Sequence, residues 1–383
     1  MDLTLFLSII IGTLAIVLVI VLWLFRKGKA VTGEARTEYI AGLNFLLADE
    51  KDKALEKLRS TVRMDTEFID AYIKIGDILR SQGVADGAIK IHRDLLVRPN
   101  LTNSQRVAIN KALAKDYRTA KQFPQALQAC DHILDVERGN EWAKGFQLAI
   151  FEEMGDWQSA YNMVRKNSKL PKDEKNTRLA CYKVEQGRQS VALNQEHDAR
   201  VHYREAIKLS PDCVQGFLEL ADSYTRDKRP SDALDVLKNL IQKNPNFSEL
   251  AFARLKHVLF ELGQFGEIEK VYRELLKTNP QVVEAQLGLA EIYEKKGEIR
   301  QAVEVCNKAL SYDPDRVDVK LMLVRLQSKL GRDEKAADIA SELAGQLLKD
   351  RNRYVCSVCN YTDQNYFWHC PQCSSWNTAK RGV

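Results

Sequence analysis

Residues 286–315 read QLGLAEIYEKKGEIRQAVEVCNKALSYDPD. Apolar side chains recur there every three or four positions, the period of an amphipathic helix. Gly297 interrupts the pattern between two such stretches, and Pro314 closes the second. A glycine lets the chain turn at a helix end, and a proline stops the helix before it. The stretch therefore predicts two antiparallel helices. Leu289, Ala290 and Tyr293 mark the inner face of the first, and Ala302, Cys306 and Ala309 that of the second.

The pattern returns along the chain at a period of about 34 residues. Pro211, Pro245, Pro280 and Pro314 stand 34, 35 and 34 apart. Twelve residues before them lie Ala199, Ala233, Ile268 and Ala302, and five before them Ala206, Leu240, Leu275 and Ala309. Small side chains at such places let two helices approach closely. Weaker copies come earlier: Gly42, Phe45, Ala54 and Leu58; Gly76, Leu79 and Ala88; Ala114, Tyr117, Ala126 and Cys130; Phe151, Ala160 and Val164. A degenerate last copy spans Val317 to Asp350 around Ala336. The period stretches by about four residues near Leu101–Ser104 and by about five over Ser168–Lys175. Leu170-Pro171-Lys172-Asp173 in the second stretch reads as a helix stop and a new start, so a longer loop and a bend are expected there.

These units resemble the tetratricopeptide repeat, an antiparallel helix pair with a period of 34. One pair cannot bury both its faces. Stacked pairs bury a continuous core and curl into a superhelical solenoid whose concave side, in that family, holds peptides or protein partners. Some such arrays clamp a terminal carboxylate with Lys and Asn. Here the outward positions read as Gln215, Leu218, Asp222, Thr225 and Arg226 in one unit, and as Glu284, Leu287, Glu291, Glu294 and Lys295 in another. That set does not make such a clamp.

Leu3 to Phe25 is 23 residues without a charge. As a helix it would be about 34 Å long, enough for a hydrocarbon layer of about 30 Å. Trp23 and Phe25 close it, and Arg26, Lys27 and Lys29 follow. A cleaved signal peptide would put the basic residues before a shorter apolar run. An uncleaved anchor is the expectation, with the later residues on the cytoplasmic side, where flanking basic residues remain.

Near the other end, Cys356-x-x-Cys359 and Cys370-Pro371-x-Cys373 can set four thiolates around one metal ion. So short a segment cannot build a sizeable hydrophobic core, so the metal is expected to hold it together. Tyr354, Tyr361, Tyr366, Trp368 and Trp376 would form a mini-core around the ion, with one or two exposed for docking. The knuckles resemble those of rubredoxin, with Asn360 and Ser374 where rubredoxins carry glycine. Asparagine tolerates the left-handed backbone needed there. One structural zinc ion is the first expectation and iron the alternative; His369 is a further donor that four thiolates do not require. Only Arg351-Asn352-Arg353 separates the knuckles from the last helix, so the tip is expected to pack on the end of the array.

The other cysteines, Cys130, Cys181, Cys213 and Cys306, are single, widely spaced and expected to be buried. A net charge of +5 over 383 residues gives no case for nucleic acid. There is no phosphate loop, H-E-x-x-H, G-x-S-x-G or dinucleotide fingerprint. His92, His132 and His257 read as packing or surface residues, and no enzyme is expected.

The order of anchor, repeats and knuckles resembles the lipopolysaccharide assembly protein B family. The most specific stretch is Trp368-His369-Cys370-Pro371-x-Cys373-x-x-Trp376-x-Thr378. The resemblance implies an inner-membrane adaptor that brings the lipid A deacetylase LpxC to the membrane protease FtsH. A scaffold for lipopolysaccharide synthesis and transport proteins is the alternative, and an iron electron-transfer protein a weaker one. The expected fold is all-α: an anchor over 1–25, a basic linker over 26–34, about nine repeats over 35–350 and a rubredoxin-like domain over 351–383, with Cys356, Cys359, Cys370 and Cys373 as ligands.

Overall fold

A computed structural model describes residues 33–166, 169–264, 266–351, 354–363, 365–367 and 369–381. The expected anchor lies outside them. Among the described residues, no helix is long and apolar enough to cross a membrane.

Helix α1 covers residues 33–47. It is followed by α2 (Lys51–Met64), α3 (Ile69–Ser81), α4 (Ala85–Leu96), α5 (Asn103–Thr119), α6 (Phe123–Val136), α7 (Glu141–Met154) and α8 (Trp157–Lys166). Then come α9 (Lys172–Ala192), α10 (Glu196–Leu209), α11 (Val214–Arg226), α12 (Pro230–Lys243), α13 (Glu249–Glu261) and α14 (Glu267–Thr278). The last are α15 (Val283–Lys295), α16 (Ile299–Tyr312), α17 (Val317–Lys329) and α18 (Asp333–Arg351). Successive helices pack from α2 to α7 in one compact unit and from α9 to α18 in another, the division falling at Met163/Val164 inside α8.

The first helix of each pair ends in one residue with left-handed backbone. These are Asp49, Gly83, Lys121, Gly155, Asn194, Lys228, Gly263, Gly297 and Gly331, with φ between 55° and 83°. Such a residue frees the last carbonyls to take N–H donors from the turn: Gln122 N–H donates to Tyr117 O, and Arg229 N–H to Tyr224 O. The intervals between the nine are 34, 38, 34, 39, 34, 35, 34 and 34 residues, so both stretches of the period reappear here. Their physical form differs from the expected loop. The added residues mostly lengthen the first helix of a pair, to 17 residues in α5 and 21 in α9, against 13 in α11, α13, α15 and α17. Both long helices start firmly. Thr102 and Gln105 form a reciprocal capping box before α5, and α9 begins directly after Pro171.

The marker residues form the core. Ala54, Leu58, Ala88, Ala114, Ala126, Cys130, Ala160, Ala199, Ala206, Ala233, Leu240, Ala302 and Ala309 are all buried. In the second unit one apolar cluster runs from Ala180 to Leu326. Two expectations are corrected. Leu218 faces inward rather than outward. Cys181 is exposed although Ala180 and Tyr182 on either side of it on α9 are buried. His92 is a packing residue, as one of its two readings had it, and is fully buried: its Nδ1 lies 2.5 Å from Asp116 Oδ2 and its Nε2 3.2 Å from the Ile73 carbonyl oxygen, while Arg80 donates to Asp116 Oδ1 at 2.7 Å. A buried carboxylate needs such partners. His132 and His257 are exposed, as a surface reading allows.

Across the first helices of the second unit runs a series of ion pairs. Arg188 on α9 meets Glu219 on α11 at 2.8 Å, and Asp222 on α11 meets Arg254 on α13 at 2.8 Å. Lys256 on α13 meets Glu291 on α15 at 3.3 Å, and Glu294 on α15 meets both Arg325 and Lys329 on α17 at 2.6 and 2.7 Å. Most of the positions read as outward-facing carboxylates are thus neutralised by the next repeat.

The C-terminal segment carries three short strands: β1 (Tyr354–Cys356), β2 (Thr362–Asp363) and β3 (Ala379–Arg381). They form an antiparallel sheet in the order β2-β1-β3, pairing Val355 with Thr362 and with Lys380. Residues 352–353, which join it to α18, lie outside the described residues.

Candidate metal centre

β1 ends on Cys356, which opens the first knuckle. Cys356 N–H donates to the Tyr361 carbonyl and Asn360 N–H to the Cys356 carbonyl, closing a tight turn. The second knuckle repeats this geometry: Cys370 N–H donates to Ser375 O, and Ser374 N–H to Cys370 O. Asn360 and Ser374 adopt left-handed backbone with φ of 60° and 56°. These are the two positions where rubredoxins use glycine.

The two turns bring together all four cysteines expected from the spacing. Their sulfurs lie within 4.8 Å of one another. Cys356 Sγ is 3.7 Å from Cys373 Sγ, and Cys359 Sγ is 3.6 Å from Cys370 Sγ. A tetrahedron with metal–sulfur bonds of about 2.3 Å has edges of about 3.8 Å, so the donor set fits one ion of that size. The electrostatics fit as well. The Thr378 hydroxyl, 3.1 Å from Cys356 Sγ, draws that thiol down to about 6, and the Ser375 hydroxyl and N–H lower Cys373. The Tyr361 N–H favours the Cys359 thiolate too, but desolvation and the three neighbouring thiols push it up to about 12. Four adjacent thiolates repel one another, and a bound cation removes the conflict. The cysteines form a metal-binding cluster.

The aromatic residues pack around it. Tyr354 meets Tyr366 edge to face at 5.3 Å, Tyr361 meets Phe367 at 5.6 Å, and His369 lies against Trp376 at 4.3 Å. His369 is thereby occupied beside the cluster. Tyr366 and Trp376 stay more than half exposed, and Trp368 lies outside the described residues. Sequence reasoning missed Thr378 and Ser375, whose hydroxyls sit beside sulfur; a serine two residues after a ligand and a threonine five residues after the last were the only signals.

A family model described as the rubredoxin metal-binding domain of the zinc-ribbon type in lipopolysaccharide assembly protein B matches residues 354–380. Tetratricopeptide models match residues 184–246, 259–308 and 295–355. Lipopolysaccharide assembly protein B of Haemophilus influenzae is 26% identical over 91% of this chain and 90% of its own length. The chain resembles the lipopolysaccharide assembly protein B family along nearly its whole length. The family protein of Escherichia coli K12 is 25% identical over 90% of this chain and 88% of its own. Among solved structures, that of MamA is similar at 19% identity and a TM-score of 0.33, covering 45% of this chain and 93% of that one. The family likeness thus spans helices and ribbon together. The array is a tetratricopeptide one, and the ribbon is of the family's own type.

Proposed function

We propose that this chain is an inner-membrane adaptor that regulates lipopolysaccharide synthesis by presenting the deacetylase LpxC to the protease FtsH, with no reaction of its own. The observation that carries this reading is the match to lipopolysaccharide assembly protein B across about nine-tenths of both chains. The architecture supports it. A repeat array offers a long surface for protein partners. Residues 1–25 would tether it, with residues 26–34 as a basic link on the cytoplasmic side. Sharing one membrane with the protease raises the effective concentration of both. Residues 35–350 would hold the client and residues 351–383 form the metal-stapled tip. Cys356, Cys359, Cys370 and Cys373 would hold the ion, with zinc preferred because its closed four-thiolate site serves structure alone. Affinity capture of the full chain from membranes, followed by mass spectrometry, tests the reading. Recovery of FtsH and LpxC is expected; their absence, with only transport proteins captured, would favour the assembly-scaffold alternative.

A further inference from the structure

In the second unit, the first helices neutralise one another through the ion pairs described above. The first unit carries the same kind of pair, Arg80 with Asp116 and Arg118 with Glu153, but also leaves three lysines beside those pairs without one. Its first helices α3, α5 and α7 line a shallow groove of about 430 Å³ between Arg80, Lys115, Arg118, Lys121, Phe146 and Glu153. Arg80 is taken up by Asp77 and Asp116, and Arg118 by Glu153. Lys111, Lys115 and Lys121 have no carboxylate partner among the described residues. Instead, Lys111 and Lys115 lie 5.5 and 5.9 Å from the ring centre of Trp142, which is stacked on Phe146 at 4.7 Å and 18°.

We infer that this groove, together with Lys111 and Trp142 beside it, binds an extended acidic peptide segment of a partner protein, carboxylates against Lys111, Lys115 and Lys121 and an apolar side chain against Trp142 and Phe146. The inference deepens the adaptor reading and rests on it. Three uncompensated cations beside a half-buried aromatic pair call for an anionic ligand with an apolar component. The groove crosses three helices spaced about 8–10 Å apart, a span that about five or six extended residues would cover. A lipid phosphate would need donors converging on one point; these cations are spread over α5 and the turn after it.

The test uses the full chain in phosphatidylcholine nanodiscs and a fluorescein-labelled peptide of Asp and Glu around one Phe. Fluorescence anisotropy is expected to show binding that weakens with salt. The triple variant Lys111→Met, Lys115→Met, Lys121→Met should bind at least tenfold more weakly. The control Lys256→Met, Arg325→Met in the second unit should stay within twofold of wild type. Circular dichroism establishes that both variants are folded, and single Lys115→Met replaces the triple variant if that one is not. Equal affinity of variant and wild type overturns the inference. So does displacement of the peptide by soluble dihexanoyl phosphatidylglycerol at concentrations where the peptide itself binds no better than the lipid. In cells, a folded triple variant with normal LpxC turnover removes the groove as the client surface and leaves the adaptor reading standing. LpxC turnover that ignores loss of the whole chain ends the adaptor reading whatever the peptide affinity.

Discussion

The ring of Tyr203 on α10 lies directly over Gly187 on α9: a methyl group at Gly187 would sit 2.3 Å from Tyr203 Cε1. The same meeting of glycine and ring joins Gly76 to His92 and Gly288 to Tyr272. Replacing Gly187 with Ala should therefore destabilise the second unit. Overpacking costs about 1–3 kcal/mol, offset by about 1 kcal/mol of helix propensity. The urea midpoint should fall in Gly187→Ala, and the pair Gly187→Ala, Tyr203→Leu should lose less than the sum of its singles. Additive losses would mean that the ring does not exclude the methyl.

The left-handed turn positions make an opposite prediction. Lys228 holds φ of 55°, where a Cβ costs about 1 kcal/mol or more. Lys228→Gly should raise the thermal midpoint, and Gly297→Ala should lower it by a comparable free energy. Calorimetry of both variants checks the sign.

Acid should loosen the ion-pair series. Burial would raise the Glu294 carboxyl, but hydrogen bonds from Lys329 and Arg325 outweigh it and hold the group below its ordinary value near 4.5. Glu269 is lowered likewise, first by Lys296. A carboxylate lowered in the folded state contributes stability above its unfolded value, and that contribution disappears as pH falls through the folded value. The thermal midpoint of wild type should exceed that of Glu294→Gln at pH 7, and the gap should narrow progressively as pH falls below the ordinary value of 4.5. A constant gap across that range would contradict the assignment.

The ribbon should depend on its ion. Cys356→Ser removes one sulfur of the cluster, and metal binding supplies on the order of 10 kcal/mol to folds of this kind. Expected are loss of bound zinc by elemental analysis, collapse of the ribbon's NMR signals and unchanged helical ellipticity. Retained zinc would rule out Cys356 as a ligand.

The fold was legible because it is written in side-chain size. Alanines such as Ala199, Ala233 and Ala302 stand where helices touch, and Gly297 and Pro314 stand where they turn. The cysteine cluster was legible because its spacing already fixes geometry. Other features were not. Lys121 and Lys228 occupy turns that glycine would announce, because a nine-fold repeat tolerates a strained position held by its neighbours. His92 is a core residue only because Asp116 and Ile73, from two other helices, meet it. The ion pairs joining each repeat to the next depend on which face of each helix the stacking turns outward, a relation between residues about 30 apart. For the same reason the unpaired Lys111, Lys115 and Lys121 became notable only beside the paired Arg80 and Arg118.

The central claim is that this chain acts by holding a client beside a membrane protease. Its most direct test is the half-life of LpxC, measured by pulse-chase in cells depleted of this chain and complemented with either the full sequence or residues 26–383. The account requires a longer half-life on depletion, full restoration by the complete chain and poor restoration by the fragment. An LpxC half-life indifferent to depletion would contradict it.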